Sequence, residues 1–118
     1  MSDAAIREMQ ARLEKLEAIP YFPTIPALVA HGAASAPDLP ICYFIEDDER
    51  VTRAELETQS NRLANALVSM GLRKGAVVGL MLPNRREYPI TWVALAKVGA
   101  VAVPIAIAGY ATPLDCVG

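Results

Sequence analysis

The chain has 118 residues, of which 53% are hydrophobic and 20% are charged, and its formal net charge at pH 7 is -2. This length allows one domain at most, and the composition excludes disorder over most of the chain. The sequence pI is about 5.3 and the sequence contains no basic stripe, so we expect no nucleic-acid partner.

The N-terminus is polar and acidic and has no apolar run typical of a secretory signal, and Cys42 and Cys116 form no C-x-x-C pair. We therefore predict a cytoplasmic protein with reduced thiols. The uncharged run 98–114 approaches the length of a membrane span. Glycine and proline interrupt it, so a buried strand followed by a loop is the better interpretation, and we expect no transmembrane segment.

The first predicted element is an amphipathic helix over residues 3–18, ending before Pro20. Its apolar positions recur at three- and four-residue steps, at Ile6, Met9, Leu13 and Leu16. This spacing places them on one face of a helix, which we expect to pack on its own domain. A self-associating seam is the alternative, although two heptads are too few to argue a coiled coil.

A second helix should begin at Thr24, whose hydroxyl can cap it, with Pro26 in its first turn, and run to about Ser35. We expect its inward residues to be Ile25, Leu28 and Val29. Residues 41–45 and 50–51 then read as two short strands joined by a turn at Asp47 and Asp48.

Thr52 and Glu55 have the spacing of a capping box, which predicts a helix from there to about Met70. Its expected buried stripe consists of Leu56, Leu63, Ala64 and Leu67. Gly71 supplies a residue that tolerates the left-handed conformation in which many helices end.

The last part of the chain reads as strand, helix, strand. Residues 76–82 form an apolar run typical of a strand buried on both faces, and Asn84 is a candidate N-cap for a helix that ends at Gly99. We expect Trp92, Leu95 and Ala96 to face the sheet. A second apolar strand follows at 100–105, and the crossover is long enough for the two strands to run parallel.

No motif in the sequence carries catalytic chemistry. There is no G-x-x-x-x-G-K-[ST] phosphate loop, no dinucleotide fingerprint and no G-x-S-x-G elbow. The acidic group 46–49 lacks the glycine and distal glutamate of a calcium loop. We interpret His31 as structural or solvated, the pair Arg85 and Arg86 as a solvated helix start, and Lys97 as a surface residue rather than a catalytic amine.

Five short segments nevertheless carry a family resemblance through their order and spacing. They are Thr52-x-x-Glu55-Leu56, Ser60-Asn61-Arg62-Leu63-Ala64, Gly71-Leu72-Arg73-Lys74-Gly75, Leu82-Pro83-Asn84 with Glu87-Tyr88, and the run from Leu95 to Ile105. Together they resemble the start of the large domain of adenylate-forming (AMP-binding) enzymes, and acyl-CoA synthetases in particular. Ala76 departs from the Asp common in that family, and the resemblance breaks after Ile105.

The resemblance implies an α/β fold with a partial parallel sheet and flanking helices, as in the N-terminal subdomain of the adenylate-forming fold. It divides the chain into an N-terminal helix (1–20), a partial ligase domain (21–105) and a divergent tail (106–118). For a complete family enzyme it also implies ATP, Mg2+ and coenzyme A. The phosphate-binding loop and the catalytic lysine of that family have no match here, so we assign no catalytic, cofactor-binding or metal-binding residue and expect none of these ligands to bind this chain.

We therefore expect a truncated fragment of an ATP-dependent acid–CoA ligase that is inactive alone, whose parent acted on a fatty or aromatic acid. Two alternatives remain open. The chain could be one half of a split ligase that a second chain complements, or a non-enzymatic interaction module or remnant. The predicted strands are nearly free of charge, so we also expect self-association or dependence on a partner chain.

Overall fold

The computed structural model describes residues 2–19 and 21–106. The chain order of its elements is helix, helix, hairpin, helix, strand, helix, strand, which confirms the predicted α/β fold. The elements are α1 (Asp3–Glu17), α2 (Ile25–Ser35), β1 (Pro40–Phe44), β2 (Glu49–Thr52), α3 (Arg53–Ser69), β3 (Val77–Leu80), α4 (Glu87–Val98) and β4 (Val101–Pro104).

Local side-chain chemistry starts three of the four helices that the structure describes. Ser2 and Thr24 accept hydrogen bonds from the first-turn amides of α1 and α2. At α3 the capping box is complete: Thr52 Oγ1 accepts from the Glu55 amide at 3.1 Å, and Glu55 Oε2 accepts from the Thr52 amide at 2.9 Å. Each bond satisfies an amide that has no partner within the helix, which is why these boundaries follow the sequence so closely.

The two strand pairs form separate two-stranded sheets. β1 and β2 are antiparallel, with a register shift between Pro40 and Cys42, and Asp48 adopts a positive φ of 50° in the turn between them. β3 and β4 are parallel, pairing from Val77 with Val101 to Leu80 with Pro104. These arrangements confirm the predicted hairpin and the predicted parallel pair.

The main chain around β4 is fixed by three features. The Val101 amide donates to the Ala76 carbonyl at 2.7 Å, and the Ile105 amide donates to the Leu80 carbonyl at 3.0 Å. Gly99 ends α4 with a left-handed φ of 80°, which lets the chain turn directly from the helix into the strand.

The core lies where α2, α3 and α4 pack around the hairpin. Val51, Leu56 and Val93 are buried together, and Val29, Cys42, Phe44 and Ile90 pack against them. The other buried hydrophobic residues are Ala64, Leu80, Ala94 and Leu95. Of the stripe predicted for α3, Leu56 and Ala64 are buried and Leu63 and Leu67 are partly buried.

Several predicted orientations are wrong. Ile25 and Leu28 on α2 are exposed, and so is Trp92 on α4, where Val93 and Ala94 are buried instead. Periodicity identifies an apolar face, but the neighbouring elements determine which edge of that face becomes buried. Residues 76–82 are also not buried on both faces, since the Val77 side chain is 71% exposed. Asn84 is not a cap: α4 begins at Glu87, after Arg86, without a side-chain cap.

Within the described residues, no helix is both long and apolar enough to cross a membrane. The run 98–114, which we considered for that role, lies partly outside those residues. Its described part forms the end of α4, then β4 and the two residues after it.

Candidate functional site

The best-formed polar cluster in the described chain joins α3 to α4. Lys97 Nζ lies 2.7 Å from Glu57 Oε2 and 2.6 Å from Asn61 Oδ1, and its contact with the Glu57 carbonyl oxygen is 3.4 Å. The Asn61 amide in turn donates to Glu57 Oε1 at 3.1 Å. The side chains of Lys97 and Glu57 are only 12% and 23% exposed.

The Lys97 ammonium in this cluster has a structural role and is not a reactive amine. An ammonium group has three hydrogens to donate, and three acceptors on α3 surround this one. The interpretation of Lys97 as a surface residue is therefore wrong. Its partners lie 36 and 40 residues earlier in the chain. The one signal in the sequence was the four-residue spacing of Glu57 and Asn61, which places two hydrogen-bond acceptors on the same face of α3.

A wide, open groove lies between α3 and the start of α4, with a volume of about 670 Å³. Arg62 and Arg86 border it, and Glu87 adds a carboxylate. Among the described residues neither arginine has an ion-pair partner. The neighbouring Arg85 does have one, since its Nε lies 3.8 Å from Asp47 Oδ2 on an exposed surface. The groove holds positive charge in a solvated setting, where ionic contacts are weak.

A smaller, more apolar cavity of about 240 Å³ lies between α2, β1 and α3. Its walls are aliphatic apart from the side chains of His31 and Arg53. The His31 ring contacts the Phe22 ring with centroids 4.8 Å apart. The Arg53 stem passes over Gly32, where an added Cβ would lie 3.4 Å from Arg53 Cδ. His31 thus packs beside an aromatic ring, in agreement with a structural role.

The hairpin holds two titratable groups with altered proton affinity. Burial raises the pKa of the Cys42 thiol, which leaves it protonated and weakly nucleophilic. Tyr43 donates a hydrogen bond to Asp48 Oδ1 at 2.5 Å. That bond raises the pKa of Tyr43, with a smaller contribution from desolvation and an opposing one from Arg50. Cys116 lies outside the described residues.

The described residues do not fit a nucleotide–metal complex. No three histidine, cysteine, aspartate or glutamate side chains among them converge on a point, including the acidic group 46–49. The one shielded ammonium is already bonded, and the arginine groove is open. We therefore assign no catalytic step to these residues. The prediction that the chain has no catalytic, cofactor-binding or metal-binding residue of its own stays a prediction.

Comparisons with known proteins agree on one family. Residues 29–112 match the family described as AMP-binding enzyme. The long-chain-fatty-acid–CoA ligase FadD13 of Mycobacterium tuberculosis is 43% identical over 78 residues, which is 66% of this chain and 16% of that protein. The crotonobetaine/carnitine–CoA ligase of Escherichia coli O1:K1 / APEC is 45% identical over 56 residues, which is 48% of this chain and 11% of that protein.

Solved structures give the same result. The N-terminal domain of FACL13 from Mycobacterium tuberculosis superposes with a TM-score of 0.67 and 34% identity, over 72% of this chain and 21% of that one. The N-terminal subdomain of Klebsiella oxytoca NpsA does so with a TM-score of 0.67 and 28% identity, over 82% and 24%. The chain spans less than a quarter of the length of each of these four relatives.

Proposed function

We propose a function from one premise, which is that this chain belongs to the family of AMP-binding enzymes. The chain supplies the first helices and strands of the large domain of an acid–CoA ligase. The observation that carries this proposal is the parallel pair β3–β4 with its crossover helix α4, within a stretch that aligns with the N-terminal domains of such enzymes.

The proposed reaction of the complete ligase has two steps. A carboxylate oxygen of the acid attacks the α-phosphorus of ATP, so that the acyl–phosphate bond forms and pyrophosphate leaves. The thiolate of coenzyme A then attacks the acyl carbon, the thioester forms and AMP leaves. Mg2+ would offset the negative charge of the phosphates. In this proposal the described residues take no part in either step and serve as the scaffold of the domain.

The proposed acid is a fatty acid, because the relative aligned over 66% of this chain is named as a long-chain-fatty-acid–CoA ligase. An aromatic acid is the second candidate, because a structurally similar chain, NpsA, was solved in complex with 3-hydroxyanthranilyl-AMSN. A substrate panel of both acid types, assayed on the complete ligase, distinguishes the two candidates.

A domain exchange tests the scaffold role. The segment of FadD13 that aligns with this chain is replaced by the corresponding residues of this chain, and acid-dependent exchange of pyrophosphate into ATP is measured. We expect the chimera to keep activity within about tenfold of the parent, because a matching scaffold preserves the geometry of a site built elsewhere. The control chimera carries Leu56→Glu, which places a charge in the core. A folded chimera without exchange activity would contradict the proposal.

The purified chain alone should show no exchange with any acid of the panel, since a preorganised site is what stabilises the charges of such a reaction. Acid-dependent turnover that disappears on mild denaturation would refute this expectation. The alternative of a split ligase is tested by adding the chain to FadD13 that lacks the aligned segment. Recovery of exchange activity on mixing would favour complementation by a second chain.

A further inference from the structure

Helix α1 presents an apolar stripe to solvent. Every one of its residues is exposed, so the predicted packing of this helix on its own domain is wrong. The stripe consists of Ile6, Met9, Leu13 and Leu16, and exposed apolar residues continue beyond it at Ile19, Tyr21 and Phe22. The match to the AMP-binding family model begins only at residue 29, so the stripe lies outside the residues of that match.

We propose that α1 binds a second copy of this chain through this stripe, as a short parallel pair of helices. The exposure of the stripe carries the proposal, because two heptads alone would not. The four stripe residues occupy a and d positions of two heptads, with Ile6 and Leu13 at a and Met9 and Leu16 at d. This is the narrow seam that two supercoiled helices share, and wider apolar faces are typical of helices packed on a globular core.

The charged residues beside the seam indicate which partner α1 binds and in which orientation the two helices lie. Arg12 occupies a g position and Glu17 occupies the following e position, on opposite sides of the seam. In a parallel dimer these positions face each other across the interface, so each Arg12 meets a Glu17 of the other copy. The two residues are five positions apart on their own helix and cannot pair there.

An antiparallel dimer would place the same charges against each other. With the a and d layers aligned, Arg12 would face the second Arg12, and Glu17 would face Asp3. Like charges at such positions disfavour the arrangement. The charge pattern of α1 therefore matches a second α1 in parallel orientation better than an antiparallel one.

The test is sedimentation of the full chain from low to high micromolar concentration. We expect a monomer–dimer equilibrium, weak because two heptads form only a short seam. Leu13→Glu should weaken dimerisation by about tenfold or more, while Ala11→Glu on the opposite face should leave it unchanged. Since no α1 residue is buried, both variants should keep the unfolding transition of the rest of the chain. A chain that stays monomeric throughout, or a Leu13→Glu variant that still dimerises, overturns the proposal.

Charge exchange tests the orientation. Arg12→Glu alone and Glu17→Arg alone should each dimerise poorly, because like charges then flank the seam. An equal mixture of the two variants should dimerise at least as well as the original chain, because both flanking pairs become attractive. If Glu17→Arg alone strengthens the dimer, Glu17 meets Asp3 in an antiparallel pair and the parallel seam is refuted. If the mixture fails to recover, the dimer does not use these pairs and the proposal also fails.

Discussion

Valines of this chain occupy two contrasting environments. Val51 in the hairpin and Val93 on α4 are buried, whereas Val77, Val101 and Val103 in the parallel pair are exposed. All but Val93 lie in strands, so strand propensity does not account for the difference. One face of the hairpin packs against residues of α2, α3 and α4, while β3 and β4 bury Leu80 on one face and leave the valines of the other face in solvent.

The difference shows that the apolar content of a strand depends on its own sequence, whereas its burial depends on the elements that pack against it. Valine-rich strands of a parallel sheet normally receive cover on both faces. Here the cover for one face of β3 and β4 is missing from the described residues, although the sequence of those strands is as apolar as a fully buried pair requires. The core of this chain is thus the part that its own helices can enclose.

The largest expected effect comes from matched valine truncations, one in each region. Val51→Ala should lower the free energy of unfolding by roughly 2–3 kcal/mol, through lost burial and a residual cavity. Val77→Ala should change it by less than about 0.5 kcal/mol, as is usual for exposed positions. Urea unfolding of the two variants measures both values. Equal losses would mean that the outer face of β3 is enclosed in solution and would remove the contrast.

The polar counterpart of this comparison is the shielded Lys97–Glu57 pair against the exposed Arg85–Asp47 pair. Lys97→Met keeps the aliphatic stem but leaves a partly buried carboxylate without its cation, so we expect a loss of about 1–2 kcal/mol. Arg85→Ala should cost less than about 0.5 kcal/mol. Adding Glu57→Gln to Lys97→Met should recover part of the loss, because a neutral amide is less costly to bury. No recovery would show that the loss reflects packing alone.

Replacing two glycines by alanine extends the comparison to the backbone, and the two changes should shift the stability of the fold in opposite directions. Gly99→Ala should destabilise by roughly 1 kcal/mol or more, because φ is positive there, and the new Cβ would approach Lys74 Cγ to 3.0 Å. Gly32→Ala, inside α2 and without a positive φ, should stabilise by up to about 1 kcal/mol through helix propensity. Thermal unfolding measures both changes. A stabilising Gly99→Ala would contradict the left-handed end of α4.

The smallest expected effect is the titration of Tyr43. Its raised pKa means that the folded state favours the neutral phenol, so this contribution to stability is present below the unfolded pKa and is lost as pH rises through the folded value. The relevant window therefore lies above pH 10, the ordinary value for this group. The difference in ultraviolet absorbance between the original chain and Tyr43→Phe follows this one transition. A midpoint at or below 10 would show that the Tyr43–Asp48 bond does not persist in solution.

Local chemistry made some of these features predictable from the sequence. The Thr52–Glu55 box and the stops at Gly71 and Gly99 depend on residues within a few positions of each other, and the structure confirms them. Asn84 failed as a cap because α4 starts later, after Arg86. The hydroxyl of Ser60 is buried and donates to the Glu57 carbonyl at 3.1 Å, and its burial was not predicted because α3 reads as polar there.

Contacts between distant segments were harder to predict. The Lys97 cluster joins two helices through residues at least 36 positions apart, and no periodicity encodes that pairing. The exposure of α1 was missed for a related reason. An amphipathic helix indicates that some apolar partner exists, but it does not indicate whether that partner belongs to the same chain.

Among the residues that the structure describes, Pro104 makes the two edges of the parallel sheet unequal. The amides of Val101 and Ile105 both donate toward β3. Because the amides of a strand alternate in direction, the backbone nitrogens of Ala102 and Pro104 face the outer edge of β4. Proline has no amide hydrogen, and a strand arriving at that edge would find a donor at Ala102 but none at Pro104. An additional strand can therefore form a full set of backbone hydrogen bonds more readily beside β3 than beside β4. The missing donor at Pro104 disfavours open-ended stacking of chains at the β4 edge.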